Sequence, residues 1–423
     1  MLFVVGAMAA LSIDVVTLYT ARSEAQLAAD GAALAGARAL ANSGMTSRPL
    51  DMLLASNAEI LASAVAIQVA QGNLVGGRNL VAGNGEVNVT FPNFGSSGFG
   101  TDPHVTVRVQ RTDLPTFFAR IWGRTAIAVA ASATAEAYNP SGASIVGQTA
   151  IPVAPMCVKP WLLPNMSPNS GPVNPQIFDP TTGAILDTNL LGWTSNPGGV
   201  PMSLACPGGN CSGTFIPPAS GPVAWEYYPG DPNTTFPPPT QALPDCVPAL
   251  TTAYEESVAG CIQTPISCNS TANIDIGNDL NRNRETARAV NCLSHSRTNM
   301  GDQVEIAAGP SPPFQFIAGA DNPIALVNPA LAGNNEMVSD SLVTVPVFNS
   351  TPGTPPTNPV QIIGFVQLFV NPDGRATPAW PAGSAGRVNT TVINMAGCGT
   401  GAAGRSILGE GTSPVAVRLI SPP

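Results

Sequence analysis

The first forty residues constrain this chain more than any other stretch. From Met1 to Leu18 the polar side chains are Ser12, Asp14 and Thr17. About 20 residues rising roughly 1.5 Å each cross a hydrocarbon core of about 30 Å. Residues 1–21 therefore read as a transmembrane anchor. An aspartate costs about 2.5–3.5 kcal/mol at mid-bilayer, but Asp14 lies near the end of the run, within reach of an interface. Tyr19 and Arg22 suit the interfacial belt. A cleaved signal peptide fits the same run, but no A-x-A site closes it, which favours the anchor. Neither reading has its usual basic flank, so the chain is expected to begin upstream of Met1.

The helix is expected to continue through residues 21–41, which are alanine-rich and free of proline. Leu27, Leu34 and Leu40 give a thin apolar stripe. Ala32 and Gly36 form a small-xxx-small pair that permits close helix approach. Two readings stay open for that face: another subunit, or the protein's own sheet. Further on, Leu50, Leu53, Leu54, Leu61, Val65 and Val69 predict an amphipathic helix over 50–71, started by Ser47 and Pro49. Glu86–Phe91 and His104–Arg111 alternate as strands, with a loop between them. Residues 113–122 read as a short helix or turn, and 125–138 as a third strand. The result is an α+β unit, with a long helix laid on an antiparallel sheet in a pilin-like plan.

The string SIDVVTLYTARSEAQLAADGAALAGARAL resembles the N-terminal segment of TadG-like Flp pilus-assembly proteins. The shared pattern is an apolar helix, an aspartate (Asp14), an aromatic near the exit (Tyr19) and the run Ala28-Ala29-Asp30-Gly31-Ala32-Ala33-Leu34-Ala35-Gly36-Ala37. Pro115 to Ala137 also looks like the family's later helix-then-strand segment. Some relatives carry a von Willebrand-type domain with an Asp-x-Ser-x-Ser metal loop. This sequence has none, so that chemistry is not carried over. The resemblance implies a membrane-anchored extracytoplasmic protein of the bacterial cell envelope, single-pass, with its bulk in the periplasm or outside the cell. Its role would be structural, in assembly, and its partners the membrane and other Tad/Flp pilus-assembly proteins. Asp14, Tyr19, Arg22, Asp30 and Gly36 are then the candidate membrane-helix interaction residues, with Asp14 able to pair with a partner's basic group inside the membrane. A snorkelling interfacial carboxylate is the plainer alternative.

The rest of the chain changes character near Asn139-Pro140-Ser141-Gly142, a turn cluster. Residues 141–281 hold one basic residue, nine acidic residues and 22 prolines. Residues 141–310 are thus expected to be a Pro- and Cys-rich irregular insertion, with helical windows at Pro248–Ile262 and Asp279–His295. Residues 311–423 alternate β-favouring runs with turns. Of these, Val360–Val370 is almost wholly apolar and reads as a central, doubly covered strand, with a turn at Asn371–Gly374 after it. These strands could complete the N-terminal sheet. Four parts result: the anchor 1–21, an α+β module 22–140, the insertion 141–310 and the β-rich end 311–423.

Eight cysteines, Cys157, Cys206, Cys211, Cys246, Cys261, Cys268, Cys292 and Cys398, all follow residue 140. An even number in a loop-rich module behind a membrane segment suggests disulfides in an oxidising compartment. Eight allow 105 pairings. Cys206–Cys211 is the best local pair, because CPGGNC places a turn between them. A zinc set of Cys261, Cys268, Cys292 and His295 has the wrong spacing for common zinc loops. A calcium loop at Asp275–Asn281 lacks the glycine and glutamate of an EF-hand. His104 reads as an ordinary strand residue.

Net charge is −9, with Lys159 the single lysine. Such a chain cannot neutralise a run of phosphates, so nucleic acid is not an expected partner. No nucleophile elbow, zincin helix, phosphate loop, C-x-x-C or dinucleotide fingerprint occurs. No catalytic residue, cofactor, metal or small-molecule substrate is therefore assigned, and no enzymatic activity is expected. The alternative to an assembly role is a secreted or surface adhesin using its acidic loops.

Overall fold

The fold is described from a computed structural model over residues 2–95, 98–99, 102–116, 118–119, 123, 125–142, 150–167, 176–191, 200–204, 225–240, 243, 246, 249–275, 279–294, 301–304, 316–336, 339–351, 354–370, 388–409 and 412–420. The chain forms two compact units. The first comprises Met1–Leu40, Pro49–Tyr138 and Val417–Pro423, the second Ala41–Arg48 and Asn139–Ala416.

The first unit is α+β. Helix α1 spans Leu2–Asn42 without a break, its last two residues lying in the second unit. Helix α2 spans Met52–Gly72 and is started by Asp51, whose carboxylate accepts the Leu54 amide at 3.1 Å. Three strands follow: β1 (Val87–Thr90), β2 (His104–Pro115) and β3 (Ala126–Tyr138). They pair antiparallel in the order β1-β2-β3, and the C-terminal strand Ala416–Ile420 pairs with β3. The alternation predicted for β2 holds, with Val105, Val107 and Val109 buried. β2 runs on through Pro115 instead of giving way to a helix at 113, because its ladder with β3 resumes past a bulge at Leu114 and Pro115. The loop between β1 and β2 carries a two-residue hairpin pairing at Phe94↔Phe99. Of the C-terminal strands, the last one joins this sheet.

The faces that pack are alanine, not leucine. On α1 the buried residues from 21 to 37 are Ala21, Ala25, Ala28, Ala29, Ala32, Ala33, Gly36 and Ala37, and on α2 they are Leu54, Ala55, Ala58, Ala62, Ala66 and Ala70. The leucine stripes expected to pack do not do so throughout: Leu27 is 66% exposed, Leu53 64% and Leu50 82%. The reason is distance. A Cβ on Gly36 would lie 3.1 Å from Val105 Cγ1, 3.3 Å from the Ala62 carbonyl oxygen and 3.3 Å from Ala66 Cβ. Helix backbones this close leave no room for branched side chains. Gly36→Leu is therefore expected to destabilise the first unit by about 2–3 kcal/mol through overpacking. Urea unfolding followed by circular dichroism checks it, and an unchanged midpoint rejects the close-packed seam.

The second unit is a closed β-structure. Its strands are β4 (Trp161–Pro164), β5 (Val200–Leu204), β6 (Trp225–Pro229), β7 (Thr271–Ala272), β8 (Leu342–Phe348), β9 (Val360–Val370) and β10 (Val388–Gly397). They pair in the order β7-β9-β8-β4-β6-β5-β10, and β10 pairs back onto β9. Six strands thus form a ring, with β8–β4 and β6–β5 parallel and the other ring pairs antiparallel. Alternate residues fill the core: Trp161 and Leu163, Trp225 and Tyr227, Val343, Val345 and Val347, Val366, Leu368 and Val370. Side chains fill the middle of so small a ring. Helices α3 (Ala253–Ala259) and α4 (Asp279–Leu293) pack on it through Tyr254, Val258, Ala289 and Leu293. The opposite strand face is also covered, with Phe316 stacked on Phe369 at 4.9 Å. Covering on both faces explains why Val360–Val370 is almost wholly buried, as its apolar run predicts.

Much of the Pro- and Cys-rich region 141–310 lies outside the described residues. The described part supplies β4 to β7 and both helices, so the ring draws strands from both sides of residue 310. The two helical windows are present, shortened to α3 and α4. The expected turn at Asn371–Gly374 lies outside the described residues.

A buried lysine and a partly buried glutamate give this unit a distinctive pH dependence. Lys159 is buried, its Nζ donating to the Gly260 carbonyl at 2.6 Å, and burial lowers its pKa to about 7. Burial raises the Glu226 carboxyl to about 7. Between about pH 4.3 and 7 the folded unit keeps a proton on Glu226 that the unfolded chain has lost, so stability falls as pH rises. Between about 7 and 10 the unfolded chain holds a proton on Lys159 that the folded unit lacks, so stability rises with pH. A stability minimum near neutral pH is expected in a melting-temperature profile. Glu226→Gln should flatten the acid limb and Lys159→Met the alkaline limb; persistence of either limb in its variant rejects the assignment.

Candidate membrane-facing helix and disulfide framework

The candidate site is the N-terminal half of α1. Leu11, Ile13, Val15, Val16 and Tyr19 are all exposed, Tyr19 by 72%. At 100° per residue they cover a continuous arc of about 200°. Arg22 is also exposed and follows Tyr19 by less than one turn. The polar groups of this stretch are satisfied locally. Thr17 Oγ1 donates to the Ile13 carbonyl at 2.6 Å and Thr20 Oγ1 to the Val16 carbonyl at 3.1 Å. This back-bonding lets a hydroxyl do without water.

Asp14 breaks the apolar pattern and is 4% exposed. Its Oδ2 accepts from the Phe118 amide at 3.0 Å and the Ala119 amide at 2.7 Å. The carboxylate is thus held by the unit's own main chain. Neither sequence reading, a bridge to another protein or a snorkelling carboxylate, named these amides. The partner was invisible in the sequence because main-chain N–H groups carry no residue signature.

Asp30 lies further along the helix and accepts from Gln26 Nε2 at 2.7 Å, and the same amide donates to the Ser132 carbonyl at 3.3 Å. Gly36 sits in the seam with α2 and β2, so its face is used within the unit. Of the five residues, Tyr19 and Arg22 face outward within the arc, Asp14 closes its buried side, and Asp30 and Gly36 belong to the folded module. Among the described residues, α2 is the helix that by length and composition could cross a membrane. Its alanine face packs against α1 and the sheet, while Met52, Leu53 and Ile60 on it are exposed.

The sequence reading missed two charged clusters, one near each end of β2. Arg78 donates to Glu86 and to Asp113 at 2.9 Å; Arg111 Nε donates to Asp113 at 2.9 Å. Hydrogen bonds from Arg111 and Arg78 lower the Asp113 pKa to about 2. His104, in β2, lies 3.4 Å from Glu136, which also accepts from Arg418 of the C-terminal strand. Burial would raise the Glu136 pKa, but the bonds from His104 and Arg418 outweigh it and the net shift is downward.

In the second unit three disulfides form: Cys157–Cys261, Cys246–Cys292 and Cys268–Cys398, with Cα separations of 4.3, 5.3 and 5.9 Å. Cys206 and Cys211 lie outside the described residues, as does His295. Cys261, Cys268 and Cys292 each belong to a different disulfide, so they cannot form the common zinc set. Asp275 accepts from Arg282 Nε at 2.8 Å, and residues 276–278 of the candidate calcium loop lie outside the described residues. Among the described residues no group of His, Cys, Asp and Glu is placed to hold a metal ion.

No curated protein and no solved structure matches the chain. Residues 1–39 match the family described as putative Flp pilus-assembly TadE/G-like. That stretch ends within the alanine seam, so it contains Asp14, Tyr19, Arg22, Asp30 and Gly36 together. The chain thus carries an N-terminal Tad segment of the TadE/G-like Flp pilus-assembly kind.

Proposed function

We propose that this protein is a membrane-anchored structural component of a Flp pilus-assembly system, without catalytic activity. The observation that carries this reading is the N-terminal Tad segment, whose helix runs unbroken through the exposed apolar residues Leu11 to Tyr19 into the folded first unit. The apolar half is held in the bilayer. The two units stand outside the cytoplasm, where three disulfides persist. Neighbouring assembly proteins are recruited through the membrane helix and the outer surfaces.

Alkaline carbonate extraction of native membranes, with N-terminal sequencing, tests the reading. Retention in the pellet with residues 1–21 intact is expected. A soluble product lacking that helix overturns the anchor and favours a secreted adhesin. Where the helix is retained, crosslinking from Tyr19 or Arg22 should capture other pilus-assembly proteins.

A further inference from the structure

The membrane reading leaves the place of Asp14 unexplained. Tyr19 and Arg22 mark the expected interface, and Asp14 lies five residues before Tyr19. At 1.5 Å per residue it sits about 7–8 Å deeper along the helix. The Phe118 and Ala119 amides lie within 3.0 Å of its carboxylate. The turn that carries them therefore reaches the bilayer side of Tyr19, into the zone between headgroups and acyl chains.

We propose that the turn at Phe118 and Ala119 is a second membrane contact of the first unit, seated in the lipid interface beside α1 and positioned there by Asp14. The proposal rests on the anchor reading and adds an element to it. Three observations support it. The apolar arc of α1 continues past Asp14 through Val15, Val16 and Tyr19, so the surface flanking the turn suits lipid. Thr17 and Thr20 satisfy their hydroxyls on the helix itself. The ionisable group at this level is covered by N–H donors that would otherwise meet an apolar medium, where an unmet polar group costs several kcal/mol. Carboxylate and turn thus make each other tolerable at that depth.

The test uses the full chain, with its disulfides formed, in vesicles of phosphatidylcholine and phosphatidylglycerol. Leu11→Trp and Phe118→Trp are compared, each as its fluorescence difference from the unsubstituted protein. Acyl-chain-brominated lipids are expected to quench both added tryptophans, while iodide in the buffer quenches neither strongly. Quenching of the Leu11 probe by brominated lipid, with the Phe118 probe open to iodide instead, overturns the second contact and leaves the anchor standing. A Leu11 probe that brominated lipid does not quench overturns the anchor and this proposal with it. Asp14→Ala should release the Phe118 probe to iodide without changing the Leu11 probe. Asp14→Asn, whose side-chain oxygen still accepts, should preserve both signals. Lipid quenching of the Phe118 probe that survives Asp14→Ala overturns the positioning role.

Discussion

Replacing Cys268 and Cys398 together with alanine is expected to lower the stability of the second unit by about 4–5 kcal/mol, the chain-entropy value for a loop beyond 100 residues. The two cysteines are 130 positions apart, and both are buried. Cys268 follows the segment that leads from α3 into β7, and Cys398 immediately follows β10. The bond therefore ties the cysteine-rich half of the unit to the strand that closes the ring. Its surroundings repeat the tie without covalency: the Cys398 amide donates to the Ile363 carbonyl at 2.9 Å, and Asn269 Nδ2 donates to the Gly399 carbonyl at 2.9 Å. Those contacts should keep the variant native-like, so the loss appears as a lower denaturation midpoint and not as a different fold. Domains are stable by only about 5–15 kcal/mol, so the loss is a large fraction of the total. Cys246→Ala with Cys292→Ala, which opens a loop of 46 positions, should cost about 1 kcal/mol less on the same scale. Guanidinium unfolding of the two double variants checks both size and order. Equal midpoints for the Cys268/Cys398 variant and the parent reject the view that this bond holds the unit closed.

The two units were legible to different depths. In the first, helix and strand periods reported the elements correctly, because each element has one buried face. The identity of that face misled. Ranking residues by size placed Leu27, Leu50 and Leu53 inside, whereas backbone proximity at Gly36 selects alanine and leaves those leucines exposed. In the second unit, Leu342–Phe348 and Val360–Val370 announce themselves as apolar runs. The strands at 161–164, 200–204 and 225–229 do not. They are four or five residues long, and Pro164, Pro201 and Pro229 sit inside them. Composition therefore marks that region as loop. Closure of the ring needs pairings such as Val347 with Leu163, which no local pattern encodes. The candidate membrane residues divided on the same line. Exposure of Tyr19 and Arg22 follows from their own chemistry, while the fate of Asp14 depended on amides about a hundred residues away.

The buried polar ties of the second unit were equally silent in the sequence, and one of them carries the other large expected effect. Asn394, in β10, is fully buried. Its Nδ2 donates to the Ala41 carbonyl at 2.6 Å and to Thr46 Oγ1 at 2.8 Å, and its Oδ1 accepts from Ser47 Oγ. The next residue extends the stitch: the Met395 amide donates to Ser47 Oγ at 2.8 Å, and its carbonyl accepts from Asn139 Nδ2 at 2.9 Å. Between these ties the chain turns at Gly44, where φ is 78° and a Cβ would come within 2.5 Å of the Ile393 carbonyl oxygen. Residues 41–48 are thus held on β10 by side chains that have no water to fall back on. Asn394→Ala removes a donor and an acceptor at once. It strands the Ala41 carbonyl and the Thr46 hydroxyl, each at about 1–3 kcal/mol, while Ser47 Oγ keeps the Met395 amide and carbonyl. A total loss of about 3–4 kcal/mol is expected, with early proteolytic cleavage around residues 43–49 as the segment frees itself. Asn394→Asp should not rescue it, because the Ala41 carbonyl still lacks a donor and the new charge is buried. A parent-like urea midpoint and protease pattern in Asn394→Ala would mean that backbone packing alone holds the segment, and that the polar stitch is incidental.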